Sequence, residues 1–502
     1  MIEHVEISLT SNTQTKWQRF LKRCHELIVV EKLLNVYGIL FLLITSLLLA
    51  FLITKLGIVF GILFTLVCVA LPVMVALVIY PKIGIIMYLT LSFCIMFLLR
   101  YGITFPLGTL MDGMLVLFII GLFIQQKQRP NWQVFKSPMT TWLLVWIIYN
   151  MLQIENPTAD SRLAWVYTIR GMALVAMMYF IFVYNINDKQ FIRFIIKWWL
   201  GFMVIAALYA AKQEFIGFTD FEEAYNNSEG VPLLLFIAGH WRKYSVFSDP
   251  VTFAYNMAIA SLFCIALISG PIKKYQKAIL IIVTVTLLSN MLFSGTRGAF
   301  PLVPAGLMLY AILKLSKKII VFSIIAAIFF VGLIIMPTSN QNILRFQSAF
   351  TPNNDPSYIV RKLNQARIKP YIWSHPIGGG LGSVGEWGKK FSPGSYLSNF
   401  PPDSGYVRTT VELGPIGLFI FCALMFTILK TGIDNYYKIK DLELKSYCLG
   451  AVIMIFTWNV ANFPQEALVQ YPSNVIFYLT VALINITLRL DKEQQNKLIH
   501  AA

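Results

Sequence analysis

FPPDSGYVRTTVELGPIGLFIFCALMFTILK, residues 400–430, starts as polar, turn-forming sequence and ends as an apolar run. From Pro415 to Leu429 the only polar side chain is Thr427. A bilayer-spanning strand alternates apolar and polar residues, and this run does not. A helix of roughly 20 mostly apolar residues crosses the hydrocarbon core. The stretch is therefore read as a polar outer segment feeding a membrane-spanning helix, and the same pattern recurs along the chain.

Of the 502 residues, 57% are apolar and 13% charged, with a mean hydropathy of +0.67. The charged share is about half the ~25% of soluble domains. These values exclude a soluble globular enzyme, a disordered chain and a fibrous repeat. They predict an all-α polytopic membrane protein with about 14 transmembrane helices. The spans are expected near 34–54, 57–80, 82–99, 104–124, 138–153, 166–185, 191–214, 250–269, 277–293, 298–314, 319–336, 408–430, 446–464 and 473–489. Residues 1–15 are polar, and the first apolar run, from about Leu33, is long enough to span, so no cleavable signal peptide is expected.

The chain carries 41 basic and 24 acidic residues, net +17. With 14 spans, the short basic loops fall on one side: Lys127 to Lys136, Lys189 with Arg193, Lys273 to Lys277, Lys314 to Lys318, and Lys430 to Lys445. By the positive-inside rule that side is the cytoplasm, so both termini are expected inside. The basic excess then flanks spans and faces anionic lipid, and no nucleic-acid partner is expected. Residues 17–34 read either as a basic amphipathic helix on the inner leaflet or as a plain cytoplasmic extension. The six cysteines form neither a disulfide framework nor a CxxC site.

The expected organisation is a cytoplasmic tail (1–33), spans 1–11 (34–336), a large extracytoplasmic loop (337–407), spans 12–14 (408–489) and a second tail (490–502). The large loop lies between the eleventh and twelfth spans and is read as the catalytic one, with a helix expected over 358–374. In it Arg345, Arg361, Lys362, Arg367, Lys369, Lys389 and Lys390 oppose Asp355, Glu386 and Asp403, which suggests an anionic partner. Arg297 in FSGTRGAF and Arg242 in GHWRKYSVFSDP sit at outer span ends, and Arg170 lies a few residues inside a span. Ionisable groups near the membrane interior are functional candidates, and arginine's planar fork suits phosphate oxygens. Converging arginines would suit a lipid-linked pyrophosphate; an ion pair or a snorkelling side chain is the other reading for Arg170.

GGGLG at 378–382 lacks the Lys-Ser/Thr of a P-loop. Asp220, Glu222 and Glu223 read as a solvated acidic loop rather than a metal site. His240 and His375 are isolated histidines, so no metal site is expected. Asp403 precedes a span and reads either as a general base or as that helix's N-cap.

Four elements in order resemble the O-antigen ligase and O-antigen polymerase superfamily of bacterial envelope proteins. They are R-x-x-x-x-F-x-D-P (Arg242 to Pro250), S-x-x-R-G-A (Ser294 to Ala299), a loop Arg361 followed by H-P-x-x-G-x-G-x-G-like sequence (His375 to Gly382), and Asp403, Tyr406, Glu412, Gly414 and Gly417 entering the next span. The resemblance implies a GT-C-like, metal-independent membrane glycosyltransferase without cofactor, at the outer face of the bacterial plasma membrane. Its donor would be an undecaprenyl-pyrophosphate-linked oligosaccharide and its acceptor a growing polysaccharide. A chain-length regulator and a flippase would be its partners. Catalytic residues would be Asp403, Arg297 and Arg242; substrate-binding residues would be Arg361, Arg170, His375, Tyr406 and Glu412. Ligases usually carry His-Asn where this chain has Asp403-Ser404, and polymerases often carry Asp. The expected activity is polymerisation of repeat units of O-antigen, capsule or exopolysaccharide. The alternatives are ligase-type transfer to lipid A core or protein and, from another class, a transporter or flippase. A transporter should show internal repeats and broken midplane helices, and no half-to-half repeat is evident.

Overall fold

The computed structural model describes residues 36–56, 74–102, 105–237, 239–339 and 356–501, with isolated positions between 340 and 355. The readings of residues 17–34, of most of the 57–80 span and of Arg345 and Asp355 lie outside them. The chain divides into two compact units, Met1–Val75 and Ala76–Ala502.

In the first unit an apolar helix, α1, runs over Val36–Leu56. The second holds α2 (Pro81–Arg100), α3 (Leu107–Gln128), α4 (Pro138–Leu152), α5 (Arg162–Asn185), α6 (Lys189–Phe215), α7 (Pro250–Ile268), α8 (Lys274–Phe293), α9 (Leu302–Leu313), α10 (Lys317–Ile335), α11 (Pro356–Ser374), α12 (Gly405–Lys438), α13 (Leu442–Ala461) and α14 (Ser473–Ala501). The only strands among the described residues are Phe236–Ile237 and His240–Trp241, paired as a hairpin. Nine described helices are long and apolar enough to cross a membrane: α2, α3, α5, α6, α7, α8, α12, α13 and α14. The expected 298–314 span is the shorter α9, entered through a 3-10 turn at Arg297–Ala299. The helix expected over 358–374 is α11, begun two residues earlier.

Helices α7, α13 and α14 form the centre of the second unit, their apolar windows 83, 78 and 83% buried; α8 is peripheral at 22%. Hydrophobicity alone does not choose the central helices when the solvent is lipid; small residues and polar cross-links do. Accordingly α7 carries Ala254, Ala258, Ala260 and Ser261, all buried, and Asn256 donates to Ser473 Oγ at 2.7 Å. A Cβ on Gly306 would meet Leu262, and one on Gly450 would meet Phe263, so both glycines let helices close in. Peripheral helices expose Ile279, Ile282 and Val285 on α8, Ile83 on α2 and Leu208 on α6, faces suited to hydrocarbon.

Two helices are broken. In α5 a π turn at Arg170–Leu174 and a 3-10 turn at Val175–Met177 interrupt the α-helix. There Arg170 Nε meets Asp112 at 2.5 Å. In α12, Gly414 has φ 71° and Pro415 follows it. Proline lacks the N–H that would continue the ladder.

The bundle ends differ. At one end Lys189 pairs with Asp441 at 2.6 Å, Arg193 with Glu443 at 2.5 Å, and Lys82 with Asp188. There Arg489 also donates to the carbonyls of Val183 and Ile186. The segments 216–249, 294–301, 375–404 and 462–472 gather at the other.

Candidate active site

The 216–249 segment is ordered by buried polar contacts. Glu222 is 1% exposed, so the expectation of a solvated acidic loop fails at this residue. Its carboxylate accepts from the Thr219 N–H and hydroxyl and from Gln213. Burial raises its pKa, but these donors outweigh burial and hold the group below the ordinary carboxylate value. Beyond it, Ser245 has φ +55°, the one positive-φ non-glycine among the described residues. The strained residue is held by Gln213, which accepts from its N–H, and by its own hydroxyl on the Ala206 carbonyl.

The R-x-x-x-x-F-x-D-P element separates into parts. Phe247 is buried in the core. Asp249 is the N-cap of α7, accepting from the N–H groups of Val251 and Thr252, and Pro250 takes the first helical turn, where no N–H is needed. Arg242 turns the other way. Its Nε donates to the Ser294 carbonyl at 2.9 Å and its Nη2 to Thr296 Oγ1 at 2.9 Å. It therefore clips the loop that carries Arg297.

Arg242, Arg297 and Arg361 line one cleft of about 750 Å³, together with Tyr255, Thr296, Gly298, Pro464 and Gln465. These residues come from two helices and three loops up to 223 positions apart (242 to 465). A second cavity of about 960 Å³ adjoins it, sharing Arg242 and Gln465 and lined also by Asp249, Asp403, Glu466 and Gln470. Asp403 is half-buried. The N-cap of α12 is Ser404, without a side-chain cap bond, so the N-cap reading of Asp403 is not what the structure adopts.

The remaining sequence candidates lie outside these two cavities. Arg170 pairs with Asp112 as described. His375 stacks on Tyr371 at 3.9 Å between ring centroids. The Tyr406 hydroxyl donates to the Asn459 carbonyl on α13. Glu412 is fully buried and accepts from Arg408 Nε at 3.1 Å, while Arg408 Nη1 donates to Glu466 at 2.5 Å. Through this chain Arg408 fixes Glu466 at the wall of the second cavity.

The glycine-rich loop is a plug for the break in α12. The carbonyls of Val411, Glu412 and Leu413 lose their helical partners there. Gly379 N–H donates to the first and Gly380 N–H to the second, both at 2.9 Å. The Tyr149 hydroxyl donates to the third at 2.7 Å. A break in a buried helix persists only where such groups find new partners. A Cβ on Gly378, at φ +77°, would stand 2.4 Å from the Glu412 oxygen. The N–H groups of Gly378, Gly379 and Gly380 thus face the carbonyls of His375, Val411 and Glu412 rather than a phosphate.

Sequence reasoning missed Tyr255, Pro464 and Gln465. Tyr255 sits in an apolar run, and the other two in the short FPQEA turn between α13 and α14. The proline and paired polar residues of that turn were the available signal.

Among the described residues no cluster of three or more His, Cys, Asp or Glu side chains could hold a metal ion. Residues 282–422 match the family model described as O-antigen ligase. No curated protein matches the chain. The matched segment contains Arg297, Arg361, the glycine-rich loop and Asp403. Arg242 lies before it and Gln465 after it.

Proposed function

We propose that the chain is a polysaccharide polymerase that joins undecaprenyl-pyrophosphate-linked repeat units on the outer face of the bacterial plasma membrane. The observation that carries this reading is the meeting of Arg242, Arg297 and Arg361 in one cleft, beside a cavity that contains Asp403. Membrane helices and the O-antigen ligase match make a lipid-linked glycan the natural substrate class. Three guanidinium groups suit the pyrophosphate, whose charge grows as it departs.

In the proposed reaction the acceptor hydroxyl lies in the second cavity and attacks the anomeric carbon of the donor. A new carbon–oxygen bond forms, and the bond from that carbon to the pyrophosphate oxygen breaks. The electron pair leaves with undecaprenyl pyrophosphate, stabilised by the arginines. The hydroxyl proton passes to the Asp403 carboxylate. Arg242 and Gln465 line both cavities, so the reacting carbon belongs at their shared wall. Glu466, steadied by Arg408, and Gln470 offer hydrogen bonds to acceptor hydroxyls.

Transfer of finished glycan to another acceptor is the second reading, favoured by the match of residues 282–422 to the O-antigen ligase family. The test uses the full chain in lipid nanodiscs with lipid-linked oligosaccharide from its host. A ladder of products spaced by one repeat unit supports polymerisation. A single transfer to an added lipid or protein acceptor supports ligation. No transfer of either kind, with intact arginines and folded protein, overturns the glycosyltransferase reading.

A further inference from the structure

Tyr255 lies one turn into α7, 1% exposed, and its hydroxyl has no hydrogen-bond partner among the described residues. A buried donor without a partner is destabilising by roughly 1–3 kcal/mol, so an orphan of this kind calls for an explanation. This one lines the arginine cleft.

Gly298 supplies the second observation. Its φ is not in the left-handed region, so the backbone does not require glycine there. Space does. A Cβ at 298 would stand 2.9 Å from the Tyr255 hydroxyl and 3.4 Å from Pro464. Any side chain at 298 would press on the phenol and separate it from the cleft. The glycine of the S-x-x-R-G-A element keeps the space between that buried hydroxyl and the cleft free of a side chain.

We propose that Tyr255 donates its hydroxyl proton in a hydrogen bond to an oxygen of the bound pyrophosphate, through the clearance left by Gly298. The proposal rests on the reading of the arginine cleft as a pyrophosphate site. The hydroxyl is a neutral donor, so it adds direction to a site whose arginines add charge. It is a binding and orienting group and takes no proton from the acceptor.

The test measures the dissociation constant of undecaprenyl pyrophosphate for the full chain in nanodiscs, with melting temperature in parallel. Tyr255→Phe removes only the orphan hydroxyl and should weaken binding roughly tenfold, as loss of a hydrogen bond to a charged group does. Its melting temperature should be unchanged or higher. Gly298→Ala should also weaken binding, but should add little in the Tyr255→Phe background, because both act on one hydroxyl. Wild-type affinity in Tyr255→Phe, with affinity lost in Arg297→Ala, overturns the tyrosine inference and leaves the cleft reading standing. Wild-type affinity in Arg297→Ala overturns the cleft reading and with it this inference. Affinity lost in Tyr255→Phe together with a lower melting temperature assigns the hydroxyl a structural role and also overturns the proposal.

Discussion

The Gly380 N–H donates to the Glu412 carbonyl at 2.9 Å, across the break in α12. The contact joins two elements that read in the sequence as separate motifs, the glycine-rich loop and the entry of a span. The polar loop carries Asp403 towards α12, and the break lets the loop's earlier part lock onto the same helix. The glycine-rich loop is thereby tied to the bundle by backbone bonds that side-chain substitution does not remove.

Gly378→Ala should therefore impair folding rather than catalysis. The left-handed backbone alone costs about 1–2 kcal/mol for a non-glycine residue, and the Cβ would stand 2.4 Å from the Glu412 oxygen. Melting temperature and the monodisperse fraction in size-exclusion chromatography should both fall. Gly394→Ala, with nothing within 4 Å of its Cβ, should change stability by less than about 0.5 kcal/mol. A stable Gly378→Ala protein that had lost only substrate binding would return the loop to a phosphate-cradling role.

Arg297→Ala and Arg361→Ala should each abolish transfer while the protein remains folded in the membrane. Arg242→Ala should do the same and also loosen the Ser294–Thr296 loop that its guanidinium holds. Lysine should rescue poorly at Arg242, because one ammonium cannot bridge a carbonyl, a hydroxyl and a phosphate as a planar fork does. Product gels with purified lipid-linked oligosaccharide check this. Full activity of the lysine variants would remove the need for a fork and leave only the need for charge.

Asp403→Asn should lower the transfer rate by about 10²–10⁴-fold, the usual contribution of a positioned base. Because Ser404 holds the N-cap position, the substitution should leave the melting temperature unchanged. Single-turnover rates across pH would separate loss of a base from loss of binding. A near-normal rate in Asp403→Asn would move the search for the base to Glu466, across the same cavity.

The buried Glu222 carboxylate has a folded pKa below its ordinary value of 4.5. A depressed carboxylate pKa stabilises the folded state above the unfolded value, and the contribution disappears as pH falls through the folded pKa. Glu222→Gln should thus melt at a lower temperature than the parent protein at pH 7. The gap should narrow progressively once the pH drops below about 4.5. A gap independent of pH would mean that the shape of the side chain, not its charge, holds the segment.

Orientation is tested by cysteine labelling in a chain whose own cysteines are replaced by serine. Cysteines placed at 385–395 should react with an impermeant thiol reagent in intact cells lacking an outer barrier. Cysteines at 434–436 should not. The reverse result would invert the proposed topology.

The all-α membrane class was legible in the sequence because it rests on local quantities. Long apolar runs need no tertiary information to exclude a soluble core, and the 356–374 helix stood out by its own pattern. Arg242, Arg297 and Asp403 were legible as candidates because charge at span ends is costly and visible, and Arg361 as a loop arginine through the resemblance. Their assembly was not, since the cleft also needs Tyr255 from an apolar run and Gln465 from a short turn. Nor was the division of labour within each motif. Asp249 caps a helix while Arg242 faces the cleft, and the glycine-rich loop satisfies carbonyls where phosphate binding was the familiar association. Tyr406, Glu412 and His375 entered as substrate-binding candidates through the resemblance, and only packing shows the protein partners each of them has. The physical reason is range: hydropathy and turn chemistry act within a few residues, whereas a bond such as Tyr149 to Leu413 spans 264 positions and exists only once the helices have packed.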